Sequence, residues 1–470
     1  MRALPLTLTA LVCAALAACA VGPNYQAPHV TLTQAYVGHE AITEGITPQA
    51  WWQGFQDPLL DKTVERALAA NLDLAQALAR VTQARAIAQS AGTRLLPVVD
   101  AAGDTERVHG SLKSPMGALA SAVGAPRDHT DHAIGVQASW ELDLFGTLRR
   151  RREAAQAEAQ AALANAGAMR IAIAAEASDA YLALRGLQAR LAVAQEQERT
   201  QSKLLALIQQ RCDEGVSSDR ERQRALGALE GTRASMAPLV AAIDGQLARL
   251  DVLMGAQAGT HRAEYGAVAA VPMPVQPSAS LTPSDLLRRR PDVIAAEQQL
   301  RAANARIGAA MGEYYPHASL GAALGFASMG SSAILSSEAA QSQGLVGLRW
   351  RLFDFGRIDA EVAVAQGREA QALAAYRAAI LKASEDVETA LSRYVQRGVE
   401  TQALTRQIAA LTAARAQALV AYQHGVVGLI DVLDADRELL SASDKLAAAR
   451  SEQARASVAA FRALGGGWSG

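Results

Sequence analysis

Aromatic side chains are scarce in this chain, at 4% of 470 residues, although half of the residues are apolar. The apolar content is therefore mostly Ala, Leu and Val, which favours closely packed helices over a bulky aromatic core. Lysine is nearly missing as well. Of 45 basic residues only Lys62, Lys113, Lys203, Lys382 and Lys445 are not Arg, a bias of composition rather than of function. With a formal net charge of -1 there is no basic domain to drive nucleic-acid binding. Enzyme signatures are missing too. No G-x-S-x-G, H-E-x-x-H or S-x-x-K occurs, and no Lys sits in a G-x-x-x-x-G-K loop, so no catalytic residue and no cofactor are predicted.

Long apolar runs are confined to the start. "MRALPLTLTALVCAALAAC" has one early Arg, an apolar stretch from Leu4 to Leu16 and a small-residue end. This is a secretory signal, too short to be a spanning helix. Leu16-Ala17-Ala18-Cys19 matches the bacterial lipoprotein box, in which the Cys is acylated and becomes the new N-terminus; cleavage at Ala15-Leu16-Ala17 is the alternative. If Cys13 is cut away and Cys19 is anchored, Cys212 is the one free thiol and no intrachain disulfide is possible.

Proline is frequent up to Pro126, clusters again from Pro272 to Pro291, and is absent after Pro316. An interior proline costs a helix roughly 3 kcal/mol, so 147–212 and 357–423 are free to form single helices about 100 Å long. Pro238 is expected to bend or break the helix that follows the first of them. Helices of such length need neighbours to bury an apolar stripe.

Ahead of each helix the period changes to two. Ile134, Val136, Ala138, Trp140, Leu142 and Leu144 alternate with Gly135, Gln137, Ser139, Glu141 and Asp143, and Val346, Leu348, Trp350 and Leu352 alternate with Gly347, Arg349 and Arg351. Phe353 and Phe355 stand where an outer-membrane strand places its aromatic girdle. A weaker strand precedes each: Ala318 to Phe326 on one parity, and Val99, Ala101, Gly103 and Thr105. Loops rich in Gly, Ser and Ala, roughly 110–132 and 328–342, join each pair.

The pattern is a duplication. "WELDLFG", from Trp140 through Phe145 to Gly146, returns 210 positions later as "WRLFDFG", from Trp350 through Phe355 to Gly356. Asp73 and Pro97 answer Asp292 and Pro316, and Gly215-Val216 answers Gly425-Val426. The expected organisation is a signal peptide (1–18), an N-terminal extended segment (19–57) and two repeats, 58–270 and 271–470. The first holds a helix, a β-hairpin at about 98–145 and a helical hairpin at about 147–255; the second holds a helix, a β-hairpin at about 317–355 and a helical hairpin at about 357–463. The fold class is mainly α with a membrane β portion. Four membrane strands cannot stand alone, because a lipid-exposed sheet edge leaves backbone groups without partners. Two copies would give eight strands and three would give twelve, and arithmetic does not choose between them.

Several ordered segments now carry a resemblance: "CAVGPNY", "WWQGFQDPLLDKTVERALAANLDLAQALARV", "DLLRRRPDVIAAEQQLRAANARIGAA", the two "FG" strand ends, "HGVVGLIDVLDADRELL" and the terminal "ALGGGW". The chain resembles the TolC-like outer-membrane efflux ducts, in their lipoprotein branch, over nearly its whole mature length. The resemblance implies a homotrimer with a shared twelve-stranded barrel in the outer membrane of a Gram-negative bacterium, continuing as a helical barrel into the periplasm. It also implies a periplasmic adaptor and an inner-membrane pump of the RND type as partners. A lipid-anchored helical scaffold without a barrel is the alternative from another class.

By the same resemblance the periplasmic end is formed by the helix-to-helix turns, Gly215-Val216-Ser217 and Gly425-Val426, with Gly428 and Leu429, where an adaptor would dock. Asp431 and Asp434, three residues apart on one helix face, would form two rings of three carboxylates at a pore constriction with Tyr422. The family's examples place an Arg where this chain has Val427, facing an acid that here aligns with Glu221; Arg220 and Arg437 are the candidate substitutes. Asp128-His129-Thr130-Asp131-His132 has metal-ligand residue types in an expected surface loop, but lacks a rigid element and a fourth soft ligand, so no metal site is expected. Arg149 to Arg152 stand at a helix N-terminus, where positive charge is disfavoured; they would either meet lipid phosphates of the outer membrane or form a solvated collar.

Overall fold

The computed structural model describes residues 20–29, 50–277, 289–330 and 334–468. After a 3-10 turn at Trp51–Phe55 come helices α1 (Pro58–Ala70) and α2 (Leu72–Thr93), strand β1 (Val98–His109), helix α3 (Pro115–Ala122), strand β2 (Asp128–Glu141), helices α4 (Thr147–Asp213) and α5 (Asp219–Leu253), helix α6 (Pro291–Met311), strands β3 (His317–Met329) and β4 (Ala340–Arg349), and helices α7 (Arg357–Gln423) and α8 (Leu429–Ala463). α4 and α7 are each 67 residues long, and α5 and α8 each 35. No helix among the described residues is long and apolar enough to cross a membrane.

Of the two outcomes expected at Pro238, a bend or a break, the break does not occur: α5 runs through it as one 35-residue helix. One departure from the sequence reading stands out. The segment Asp128 to His132 lies in β2, not in a loop. Each of these residues is paired with β1: His109 with Asp128, Val108 with His129, Arg107 with Thr130, Glu106 with Asp131 and Thr105 with His132. The loop is thereby shortened, and α3 begins in it with Ser114 as N-cap and Pro115 in its first turn.

The chain divides into two compact units. One comprises Val81–Ala161 and Ala296–Tyr376 with the N-terminal stretch up to Pro28. It holds an antiparallel sheet in the order β1-β2-β3-β4. The register sets Ala101, Val136, Leu324 and Ser342 in one cross-strand row and Trp140, Leu320 and Val346 in another, so one parity of all four strands shares an apolar face. Among the described residues nothing covers that face: Val136, Leu324, Val346 and Leu348 are exposed, the last two by 78% and 70%. The opposite face carries Asp100, Gln137, Ala323 and Gln343 in a row.

The other unit, His29–Arg80, Ala162–Ala295 and Arg377–Gly470, is helical in its described elements. Its core joins Trp51, Phe55, Leu60 and Val64 to Ile173, Tyr181, Leu184, Leu250 and Phe461. Trp51 stacks on Phe461 with ring centres 5.2 Å apart. Elsewhere small residues let backbones approach: Ala174, Ala177, Ala180, Ala454 and Ala460 are fully buried, and a Cβ at Gly186 would overlap the side chain of Ser451. Two bidentate pairs tie α4 to α8, Arg190 to Asp444 (2.7 and 3.0 Å) and Arg455 to Asp179 (2.7 and 3.0 Å). Phe461→Ala, which removes a fully buried ring stacked on Trp51, is expected to cost about 3–5 kcal/mol, read as a lowered thermal midpoint of the helical signal in circular dichroism.

Candidate functional site: strand ends and hairpin tips

At both strand ends the sequence repeat becomes a structural one. Trp140 donates its indole N–H to the Leu95 carbonyl, and Trp350 does the same to Tyr314, both at 2.9 Å and both two residues ahead of a proline that precedes a strand. The Asp of each motif then caps the long helix. Asp143 accepts from the Leu148 and Arg149 amides at 2.7 and 2.9 Å, and Asp354 accepts from the Ile358 amide at 2.8 Å. Gly146 and Gly356 take φ of +83° and +82°, the left-handed backbone that turns strand into helix. The two copies differ in their aromatics. Phe145 stacks on Tyr315 at 4.6 Å, whereas Phe353 and Phe355 are exposed.

Arg149, Arg150 and Arg151 have partners within the chain, while Arg151 and Arg152 are exposed. Arg149 pairs with the buried Asp143, and Arg151 with Glu313 at 3.1 Å. Arg150 is only 5% exposed and grips the N-terminal segment, donating to the carbonyls of Val21 and Gly22 (both 3.2 Å) and to Asn24 Oδ1 (2.8 Å), with Glu153 as its counter-charge at 2.9 Å. The Val21 amide donates to the Phe145 carbonyl at 3.0 Å, and the left-handed Gly22 lies against Gly308, where any Cβ would clash. Tyr25 donates to Glu297, and burial together with that carboxylate pushes the Tyr25 phenol above its ordinary value. The residues just after Cys19 are therefore seated beside the strand ends. Cys19 and the signal segment lie outside the described residues.

At the other candidate region the two turns are near copies. Gly215 and Gly425 have φ of +72° and +73°, and no atom would meet an added Cβ at either. Val216 and Val426 are exposed by 63% and 76%, so each turn presents an apolar tip. Both acids singled out beside the turns are engaged in capping. Glu221 accepts the Ser218 amide at 3.0 Å, while Ser218 Oγ caps the helix in return, and Asp431 accepts the Gly428 amide at 3.1 Å. Asp434 is half-buried and pairs with Arg437 one turn on, at 3.1 Å. Arg437 thus pairs on its own helix, and Arg220 is exposed; among the described residues of one chain neither forms an ion pair across the turns.

Tyr422 is 4% exposed, within a cluster drawn from all four helix ends: Leu204, Ile208, Ala225, Leu429 and Val432. The Arg211 guanidinium lies over its ring, 4.8 Å from the centre, an interaction worth roughly 0.5–2 kcal/mol. Sequence reasoning missed this contact. It also missed Asp436, a fully buried carboxylate bonded to Arg415 at 2.8 Å. Arg211 carried one local signal, a cation in the last turn of α4 where the helix dipole favours it. Asp436 carried none beyond its heptad neighbours. Among the described residues no group of His, Cys, Asp and Glu is arranged to hold a metal ion; Asp128 meets His109 across the strands at 2.5 Å, His132 meets Thr105 at 3.0 Å, and His129 faces Asp131 on its own strand at 3.5 Å.

Known proteins share this architecture and sequence. The sequence profile of the family described as outer membrane efflux protein matches residues 63–256 and 282–466. The pyoverdine export outer membrane protein OpmQ of Pseudomonas putida is 31% identical over 99% of this chain and 97% of its own length. The probable outer membrane lipoprotein SilC of Salmonella typhimurium is 27% identical over 96% of each. Among solved structures, the outer-membrane channel OprN superposes with a TM-score of 0.87 at 33% identity, covering 96% of this chain and all of that one. Profile, full-length relatives and fold agree, and the chain belongs to the outer membrane efflux protein family.

Proposed function

We propose that three copies of this chain close their four-stranded sheets into one twelve-stranded barrel in the outer membrane, forming the passive exit duct of a tripartite efflux system. The observation that carries this reading is the open sheet, with its exposed apolar face and two unpaired edges, β1 and β4. In hydrocarbon each unpaired backbone group costs several kcal/mol, so edges must be joined to other edges. Twelve strands leave a lumen, whereas eight are filled by their own side chains. The polar sheet face then lines the passage and the apolar face meets lipid. A helical scaffold without a barrel would have no use for such a face.

Within this reading the chain consists of two tandem repeats, 58–270 and 271–470, behind a signal peptide and a segment anchored through acylated Cys19. The Arg150 grip on residues 21–24 supports an anchor that enters the membrane next to the strand ends. The apolar tips at Gly215 to Ser217 and at Gly425, Val426, Gly428 and Leu429 receive the hairpins of a periplasmic adaptor, which links the duct to an inner-membrane pump of the RND type. The exposed valines of two matching turns support that assignment. Threefold symmetry would repeat Asp431 and Asp434 as carboxylate rings that attract cations.

Purified protein is expected to need detergent, to run as a trimer after cross-linking and to conduct ions in planar bilayers; a monodisperse monomer in plain buffer would remove the channel reading. A peptide tag inserted between Gly110 and Arg127 should be labelled on intact cells, since the hairpin between β1 and β2 would face outward. Exchanging both carboxylates, Asp431→Asn with Asp434→Asn, keeps an acceptor at the helix cap while removing the charge. Block by divalent cations should weaken by about tenfold, and unchanged block would place both residues away from the passage.

A further inference from the structure

We infer that Arg80, Arg393 and Arg462 make a cavity of the helical unit into a binding site for organic anions. The cavity, about 890 Å³, lies between α2, α4, α7 and the place where α8 ends and α6 begins. The three acids that line it are spent on two of its cations. Buried Arg290 holds Asp292 at 2.7 and 3.0 Å and Asp386 at 3.0 Å, and Lys382 meets Glu385 at 3.1 Å. Arg80, Arg393 and Arg462 remain. All three are exposed, and none has an ion pair or side-chain hydrogen bond among the described residues. Guanidinium groups lining one cavity without a carboxylate to share repel one another, and an anion among them relieves that repulsion. Between the charges the lining is apolar, with Ala166, Met169, Ile171 and Ala172 of α4 and Ala459 of α8. The site therefore suits an anion with an apolar body better than a bare inorganic ion.

Spacing along α4 fixes the side of the wall on which the cavity lies. Asn165, Met169 and Ala172 line it. Gly167 and Arg170 stand on the opposite side of the helix and hold the C-terminal tail: a Cβ on Gly167 would overlap the Trp468 ring, and Arg170 donates to the Gly467 carbonyl at 3.3 Å. Ala174, on that same side, joins the core that Phe461 shares with Leu60 and Val64 of α1. One face of the wall thus carries α1 and the tail, and the other carries the cavity. In a closed ring the added elements have room only outside, so the cavity opens onto the passage. This last step rests on the duct reading above and names a cargo class for it, whereas the binding does not depend on it. Threefold symmetry repeats the patch around the axis, where it raises the local concentration of anions.

The test is calorimetric binding of trimesate, an aromatic tricarboxylate, to the full-length, detergent-purified protein, with benzyl alcohol as the uncharged counterpart and trimer retention followed by cross-linking. Wild type should bind trimesate at least about tenfold more tightly than benzyl alcohol, with an affinity that falls as salt is raised. Arg80→Gln with Arg393→Gln and Arg462→Gln should weaken trimesate binding by about tenfold or more, and the matching Lys replacements should stay within about threefold of wild type. In planar bilayers trimesate should block current through wild type and not through the Gln variant. Equal trimesate affinity in wild type and the Gln variant would overturn the anion site, as would benzyl alcohol binding as tightly as trimesate. Loss of the trimer in the Gln variant would assign the three arginines to assembly and overturn it too. Binding without block in a conducting trimer would place the cavity outside the passage and overturn its part in transport. Charge-dependent binding in a protein that neither trimerises nor conducts would keep the site and remove the duct reading.

Discussion

Backbone hydrogen bonding at the sheet edge is the constraint on which the rest depends. Inside one chain β1 pairs with β2, β2 with β3 and β3 with β4, which leaves the outer sides of β1 and β4 with rows of N–H and C=O groups. In water such edges are tolerable, whereas beside a face carrying Val136, Leu324, Val346 and Leu348 they are presented to hydrocarbon. Neighbouring copies can satisfy those groups, and the symmetry that does so repeats every other feature of the chain around one axis.

The strand ends show how a membrane sheet is built onto helices. A Trp holds the preceding segment through its indole N–H, an Asp caps the next helix, and a left-handed Gly makes the corner. Because these parts are local, they could be duplicated intact. The surroundings differ: Phe145 packs on Tyr315 while Phe355 is exposed, and Arg150, which holds the N-terminal segment, is answered by Ala360. Of the arginine run only Arg150 is buried; Arg149 is half-buried against Asp143, and Arg151 and Arg152 are exposed.

At the hairpin tips charge is used differently from what acid spacing alone suggests. Asp431 and Glu221 first cap their own helices, and Asp434 first meets Arg437. What joins the two hairpins at these tips, among the described residues, is an apolar cluster with the Arg211 guanidinium on the Tyr422 ring, a contact of modest strength.

Several features were decided by the sequence alone: the duplication, the start and end of the two 67-residue helices, the parity of the apolar strand face, and the glycines of the turns. Each depends on neighbours a few residues away, through proline's missing amide, the alternation of a strand or the steric freedom of Gly. Only the tertiary structure decided that Asp128 to His132 belong to β2, that Arg150 binds Val21 to Asn24, and that Arg211 lies over Tyr422. An arginine's long stem lets its guanidinium choose among several partners, and which of them is within reach is set by segments distant in the chain. Periodicity carries no information about that choice.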